Sequence, residues 1–130
     1  PISDVASGGE MSRILLALLA VSAEQGGDKQ GNLLVFDEID AGIGGVTAKA
    51  VGQRLKALSV GRQILCITHL PPVAAAAGTH FRLTKEVEAD GVVTQVEQLS
   101  GKSLEDEMVR MLGGAPGDKA VVAHAKELLT

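Results

Sequence analysis

The stretch Leu33-Leu34-Val35-Phe36-Asp37-Glu38 decides the fold of this chain, because an apolar run ends there in two adjacent acids. A short apolar run without polar alternation is typical of a strand buried on both faces of a parallel sheet. Open sheets of this kind bind their ligands at the carboxyl ends of the strands. We therefore expect a buried strand that delivers the carboxylates of Asp37 and Glu38 to a binding site.

A second apolar run, from Gln63 to Thr68, predicts another buried strand. Between the two runs, Thr47 to Ser59 returns to the helical period through Val51, Leu55 and Leu58. A strand, helix, strand unit is expected to be parallel and right-handed. His69, which follows the second strand, is therefore expected to leave the sheet at the same edge as Asp37.

Upstream of this unit, Ser7-Gly8-Gly9-Glu10 opens an apolar helix that is predicted to reach about Gln25. Two consecutive glycines expose backbone N–H groups at the positive end of a helix dipole, where a phosphate group binds well. Ser7 is equally a favoured N-cap, and Glu10 can complete a capping box with it. The sequence predicts an anion site here and leaves the capping interpretation open.

The remaining segments predict a short helix, a hairpin and two further helices. The short helix begins at Leu70-Pro71-Pro72 and ends at Gly78, since proline is tolerated in a first turn. Ala89-Asp90-Gly91 lies between two β-prone runs, Thr79 to Val87 and Val92 to Leu99, and indicates a hairpin. The two later helices are predicted over Leu104 to Leu112 and Ala120 to Leu129. The predicted fold is α/β, with a largely parallel sheet, flanking helices and an antiparallel edge ribbon, and residues 1–130 are expected to form one domain or one lobe of a larger domain.

Composition argues against several classes of function. The chain has 130 residues and a formal net charge of −4, with no Lys and Arg cluster and only two aromatic residues, so this segment is not expected to grip DNA. Its longest apolar helix candidate, Ile14 to Ala23, is about half of the roughly 20 residues of a membrane span.

Pro1-Ile2-Ser3 does not resemble a signal peptide. The single Cys66 lies in an apolar run, which favours a buried small hydrophobe and fits a reducing cytoplasm.

Taken in order, these motifs resemble the ATP-binding cassette superfamily, from the signature motif through Walker B and the D-loop to the switch histidine. The corresponding residues are Ala6-Ser7-Gly8-Gly9-Glu10, Asp37 to Gly45, and Thr68-His69-Leu70-Pro71. Gly44 stands where transporter cassettes carry the D-loop aspartate. Together with Arg110-Met111-Leu112-Gly113-Gly114, that departure makes the chain most similar to the SMC-like branch, and to the carboxyl-terminal part of a bacterial DNA-repair member of it.

The resemblance implies a role for each motif and implies ATP and Mg²⁺ as cofactors. Asp37 would support Mg²⁺, usually through water, and Glu38 would orient or deprotonate the attacking water. His69, as a neutral imidazole, would donate a hydrogen bond to the γ-phosphate, and Ser7, Gly8 and Gly9 would contact the ATP of the opposite subunit. Each residue also has an ordinary interpretation: a solvated strand end, a core histidine that satisfies a backbone carbonyl, and a helix cap.

One motif of such a site is missing from the sequence. Gly-x-x-x-x-Gly-Lys-Ser/Thr, which holds the β- and γ-phosphates, does not occur, and Gly113 to Ala120 has misplaced glycines and no hydroxyl at its end. We therefore expect the Walker A half of the head to come from an upstream part of the same protein. On this view the isolated segment is inactive.

The resemblance also implies partners and a setting. We expect a second head in an ATP-dependent homodimer, DNA bound mainly through the rest of the protein, no membrane, and a cytoplasmic, nucleoid-associated place in recombinational repair of double-strand breaks. The main alternative is the nucleotide-binding subunit of an ABC transporter, against which Gly44 and Ile39-Asp40-Ala41 argue. A catalytically silent interaction module is a third possibility, which the joint presence of Asp37, Glu38 and His69 disfavours.

Overall fold

A computed structural model describes residues 7–24, 33–88 and 91–130. The chain divides into two compact units, Pro1–Ala76 and Ala77–Thr130. Each unit has its own sheet and helices, and the assignment of residues 1–130 to one lobe stays a prediction. None of the helices in the described ranges is long and apolar enough to cross a membrane.

The first unit contains the predicted strand, helix, strand arrangement. Its elements are α1 (Gly8–Glu24), β1 (Leu33–Phe36), α2 (Gly45–Leu58), β2 (Gln63–Cys66) and α3 (Pro71–Ala74). β1 and β2 pair in parallel, from Leu33 opposite Gln63 to Phe36 opposite Cys66. The parallel pairing is confirmed; α2 begins two residues before the predicted Thr47, β2 ends two residues before Thr68, and Gln25 lies outside the described residues.

The core of the first unit lies between its helices and one face of the sheet. Phe36 and Ile39 are fully buried there, and α1 contributes Leu16. The remaining buried members come from α2 and α3: Ala48, Val51, Leu55, Leu58 and Val73. α2 and α3 approach closely at Gly52, where an added Cβ would lie 2.8 Å from the carbonyl oxygen of Pro72. This core holds β1 and β2 in place, and with them the loops that follow each strand.

The expectation that both strands are buried on both faces is wrong. Successive side chains on a strand point to opposite faces, and the core covers only the face of Phe36 and its neighbours. The opposite face carries an apolar set that is about half exposed in this chain: Leu33, Val35, Leu65 and Ile67. The two apolar runs therefore identified the strands correctly. Among the described residues, however, nothing packs over the face of the sheet opposite the core.

The second unit is a hairpin followed by two helices. β3 (His80–Glu88) and β4 (Gly91–Leu99) pair antiparallel, and α4 (Gly101–Met111) and α5 (Lys119–Leu128) follow. The hairpin is confirmed, although Ala89 and Asp90 of its turn lie outside the described residues. In the described ranges the ribbon forms a separate two-stranded sheet, where the sequence had predicted an edge ribbon on the main sheet.

Candidate functional site

The two parallel strands end side by side. Phe36 is paired with Cys66, and the amide of Ile67 donates to the carbonyl of Phe36 at 2.9 Å. The residues that follow, Asp37 in one loop and His69 in the other, therefore leave the sheet at one edge, as the sequence predicts. This edge is the candidate functional site.

Asp37 and Glu38 both present exposed carboxylates at this edge. β1 ends at Phe36, before either acid, so strand alternation does not set the directions of their side chains. The chain turns at Glu38, whose φ of 56° is in the left-handed region. Residues other than glycine rarely adopt this conformation, and such positions cluster at functional sites. The surrounding contacts must therefore hold the Glu38 backbone in place.

Helix α1 provides those contacts through three residues at helical spacing. The Ser12 hydroxyl donates to the carbonyl of Asp37 at 3.1 Å, and Arg13 Nη1 donates to the carbonyls of Ile39 and Ala41 at 3.1 and 2.8 Å. Gly9 is buried, and a Cβ added there would lie 2.6 Å from the Glu38 carbonyl oxygen. Gly9 therefore has a packing function within the chain, which the phosphate interpretation of the glycines did not foresee.

The amino terminus of α1 carries the predicted capping box. The Ser7 amide donates to Glu10 Oε2 at 2.8 Å, and the Glu10 amide donates to Ser7 Oγ at 3.3 Å. The hydrogen bond from the Ser7 amide, followed by one from the Ser7 side chain, lowers the pKa of the Glu10 carboxyl. We call Ser7 and the first two residues of α1, Gly8 and Gly9, the glycine loop. A Cβ on Gly8 would lie 3.1 Å from Glu38 Oε2, so the glycine loop meets the carboxylate of Glu38 at Gly8.

Asp40 is the residue of the site that sequence reasoning missed. Its carboxylate is buried, and Oδ2 accepts hydrogen bonds from the Thr68 hydroxyl and, at 2.9 Å, from the His69 amide. Burial raises the pKa of Asp40, but the hydrogen bonds from Thr68 and His69 outweigh it and the pKa is lowered. Asp40 is therefore ionised at neutral pH and ties the two loops together.

The imidazole of His69 is open to solvent, with 73% of its side chain exposed, and its Nδ1 lies 3.1 Å from Asp40 Oδ2. The alternative of a core histidine on a backbone carbonyl is therefore wrong. A signal for this pairing was available, because Asp40 shares its loop with Asp37, and that loop leaves the sheet beside the loop of His69.

Cys66 is the last residue of β2, and its thiol is unreactive. Burial raises the pKa of its thiol to about 11, and the charges of Asp40 and Asp37 contribute in the same direction. The thiol stays protonated at neutral pH, and only the thiolate is a good nucleophile. This fits the predicted role of a small hydrophobic residue.

The donor groups suit a metal that is shared with a ligand. Among the described residues, no group of three or more His, Cys, Asp or Glu side chains could hold a metal ion alone. Mg²⁺ is usually bound by one or two carboxylates together with water and substrate phosphates. The exposed carboxylate of Asp37 fits that requirement.

The chain is similar over nearly its whole length to the DNA repair protein RecN of several bacteria. Identity is 46% to the protein of Deinococcus radiodurans, 44% to that of Treponema pallidum and 41% to that of Halalkalibacterium halodurans, each over 129 residues. The alignment covers 99% of this chain and 22% of each relative. The chain thus spans less than a quarter of the length of these relatives. No protein-family model matches it.

A solved structure described for the ATP-driven dimerization and DNA-stimulated activation of SMC ATPases matches the fold. The TM-score is 0.58 at 24% identity, and the match covers 88% of this chain and 66% of the other. The predicted α/β fold of an SMC-type ATPase head and the predicted resemblance to a segment of RecN are confirmed.

Proposed function

We propose that this chain, similar throughout to a segment of RecN, is the carboxyl-terminal lobe of an SMC-like ATPase head that acts in recombinational repair of DNA double-strand breaks. One observation carries the proposal. A single sheet edge brings together the carboxylates of Asp37 and Glu38, the imidazole of His69 and the glycine loop at the start of α1.

The two acids suit different tasks in ATP hydrolysis. The exposed Asp37 carboxylate would hold Mg²⁺ through water, and the bound ion would neutralise phosphate charge. Glu38 adopts a left-handed turn, and Gly9 packs against its carbonyl oxygen. We propose that its carboxylate orients or deprotonates a water molecule. Phosphoryl transfer to water depends mainly on such positioning and charge neutralisation.

The glycine loop supports a proposal of paired heads. Ser7 caps α1, and the helix start at Gly8 and Gly9 offers amides and a favourable dipole to an anion. We propose that these residues meet the γ-phosphate of an ATP molecule held mainly by a second head. ATP-driven dimerization, described for the SMC neighbour, supports this arrangement.

The missing parts of the site support an upstream partner segment. The sequence has no P-loop to hold a triphosphate. The half-exposed apolar face of Leu33, Val35, Leu65 and Ile67 is a surface that another segment of the head could cover. We propose that the Walker A half of the same protein supplies the P-loop and also packs against this apolar face. We further propose that the complete protein, in the cytoplasm and associated with the nucleoid, binds DNA.

The transporter alternative has less support. The relatives that match the chain at 41–46% identity are DNA repair proteins, and the matched fold is that of an SMC ATPase. The departure at Gly44 has a structural counterpart: Gly44 is the N-cap of α2, with extended backbone angles.

Reconstitution tests the proposal directly. The chain should be assayed for ATP hydrolysis alone, with the separately expressed upstream half of its protein, and within the complete protein. We expect activity only when the upstream half is present. Robust hydrolysis by the chain alone would overturn the divided site. An inactive complete protein that still binds ATP would overturn the assignment of Asp37, Glu38 and His69.

A further inference from the structure

Asp40 has no part in the function proposed above, yet it is the most buried charged side chain described in the first unit. Only 3% of it is exposed, while the imidazole beside it is largely in solvent. A buried carboxylate is costly unless hydrogen bonds satisfy it. Its Oδ2 accepts hydrogen bonds from the Thr68 hydroxyl and the His69 amide, and His69 Nδ1 lies 3.1 Å from the same oxygen, so all three groups belong to two consecutive residues of the loop after β2.

Each donor has a fixed direction. The Thr68 hydroxyl accepts from the amide of Leu70 at 3.1 Å, so its single proton is free to point at Asp40. The His69 amide donates to the same oxygen, and its ring nitrogen Nδ1 lies 3.1 Å away. An ionised carboxylate only accepts hydrogen bonds, so this contact is favourable only when Nδ1 carries a proton.

We propose that Asp40 is a positioning residue that holds His69 in the Nδ1–H form and leaves Nε2 as the nitrogen that meets a ligand. A neutral ring in this form has only an acceptor at Nε2. With Nδ1 directed at Asp40, the His69 ring can donate to a phosphate oxygen only when Nε2 is protonated as well. The carboxylate of Asp40 then balances the positive charge of the ring. This differs from the expectation that a neutral His69 donates to phosphate; the inference about phosphate rests on the proposed function, and the one about the tautomer does not.

Nitrogen-15 NMR of histidine tests the tautomer without any nucleotide. The complete protein would be labelled at histidine and studied at about pH 8.5, well above the ordinary imidazole pKa of about 6.5. A His69→Gln variant identifies the His69 signals by their loss. We expect a protonated Nδ1 and a bare Nε2 in the wild type. A wild-type ring protonated at Nε2 would overturn the proposal.

Three variants separate positioning from general support of the loop. Asp40→Ala should shift His69 toward the Nε2–H form, whereas Thr68→Val, which removes another donor to Asp40, should leave the Nδ1–H form in place. Asp40→Asn keeps an acceptor oxygen without the charge and should also retain the Nδ1–H form. The same tautomer in Asp40→Ala as in the wild type would show that Asp40 does not set it.

Single-turnover hydrolysis tests the link to function. If Asp40 acts through His69, Asp40→Ala should slow hydrolysis by less than His69→Ala does, because a neutral Nε2–H ring still donates, and the double variant should be no slower than His69→Ala. Asp40→Asn should recover part of the rate. Multiplied losses in the double variant would overturn the positioning role. Unchanged hydrolysis in His69→Ala would remove His69 from the proposed function while leaving the tautomer measurement intact.

Discussion

Arg13 donates a hydrogen bond of 2.8 Å to the carbonyl of Ala41, a residue 28 positions further along the chain. The same guanidinium nitrogen donates to the carbonyl of Ile39 at 3.1 Å. One side chain of α1 therefore spans the loop that contains Asp40, and the helix that begins with the glycine loop also sets the backbone of the acidic loop.

We predict that Arg13→Met lowers the free energy of unfolding of the chain by roughly 1–3 kcal/mol, because two partly buried carbonyls lose a charged donor. Urea unfolding measures the change. Lys49→Met, on an exposed position of α2, is the matched control and should change stability little. Equal effects of the two substitutions would contradict the bracing role of Arg13.

Gly9→Ala should destabilise the chain by about 1–3 kcal/mol, since its Cβ would lie 2.6 Å from the Glu38 carbonyl oxygen and 2.9 Å from the Cβ of Ala41. Gly45→Ala is the control, because an added Cβ there meets nothing within 4 Å. In a helix it should be neutral or stabilising by up to about 1 kcal/mol. Thermal unfolding of both variants gives the comparison, and a harmless Gly9→Ala would show that α1 can move away from the acidic loop.

Glu38→Gln in the complete protein should slow ATP hydrolysis by roughly 10² to 10⁴-fold, the usual loss for a positioned general base, while ATP binding persists. Single-turnover hydrolysis and ATP affinity are the measurements. Glu10→Gln makes the same chemical change in the capping box, where a glutamine can also accept from the Ser7 amide, and should leave turnover near normal. Near-normal turnover in Glu38→Gln would remove Glu38 from catalysis.

Ser7→Arg should block ATP-dependent association of heads, because a bulky side chain would stand where the phosphates of the partner's nucleotide are proposed to lie. Light scattering in the Glu38→Gln background reports the association. Ser7→Asn keeps a favoured N-cap and is the control for helix stability. Dimerisation that is equal in Ser7→Arg and in its parent would mean that this loop is only a helix cap.

The second unit should lose stability in acid through Glu107. Hydrogen bonds from Arg110, followed by its charge and that of Arg82, outweigh burial and lower the pKa of Glu107. A carboxyl whose pKa is depressed by folding stabilises the protein above its unfolded pKa of about 4.3, and that contribution disappears as pH falls through the folded pKa. Unfolding by urea from pH 6 downwards should therefore show a shallower acid loss in Glu107→Gln than in the wild type.

Glu86→Gln, at an exposed position of β3, is the control for this acid effect and should keep the acid loss of the wild type. An unchanged acid loss in Glu107→Gln would mean that the contact of Glu107 with Arg110, although only 2.6 Å in length, does not contribute to acid stability.

Sequence pattern predicted the elements because each has a local signal. The apolar runs of β1 and β2, the helical period of α2 and the turn of the hairpin depend on neighbouring residues alone. Burial could not be predicted in this way. Whether Val35 and Leu65 are covered depends on which surface packs on the sheet, and that surface is not encoded in the strand.

The sequence predicted individual residues of the site but not the side-chain contacts that hold its loops together. Spacing placed Asp37 and His69 at one edge, since parallel strands end together. Spacing also placed Asp40 in the same loop, but only the fold shows that its carboxylate is the buried one. Arg13 was overlooked for a related reason: a long charged side chain on an amphipathic helix looks solvated until the loop beneath it is known.

The uncovered face of the sheet in the first unit makes this chain prone to aggregation during expression. Within the described residues, β1 and β2 pair along one edge only, and their second face presents four half-exposed apolar side chains. Unpaired strand edges recruit other strands, and large apolar patches promote aggregation. Expressed without the rest of its protein, the segment should therefore aggregate more readily than the complete protein does.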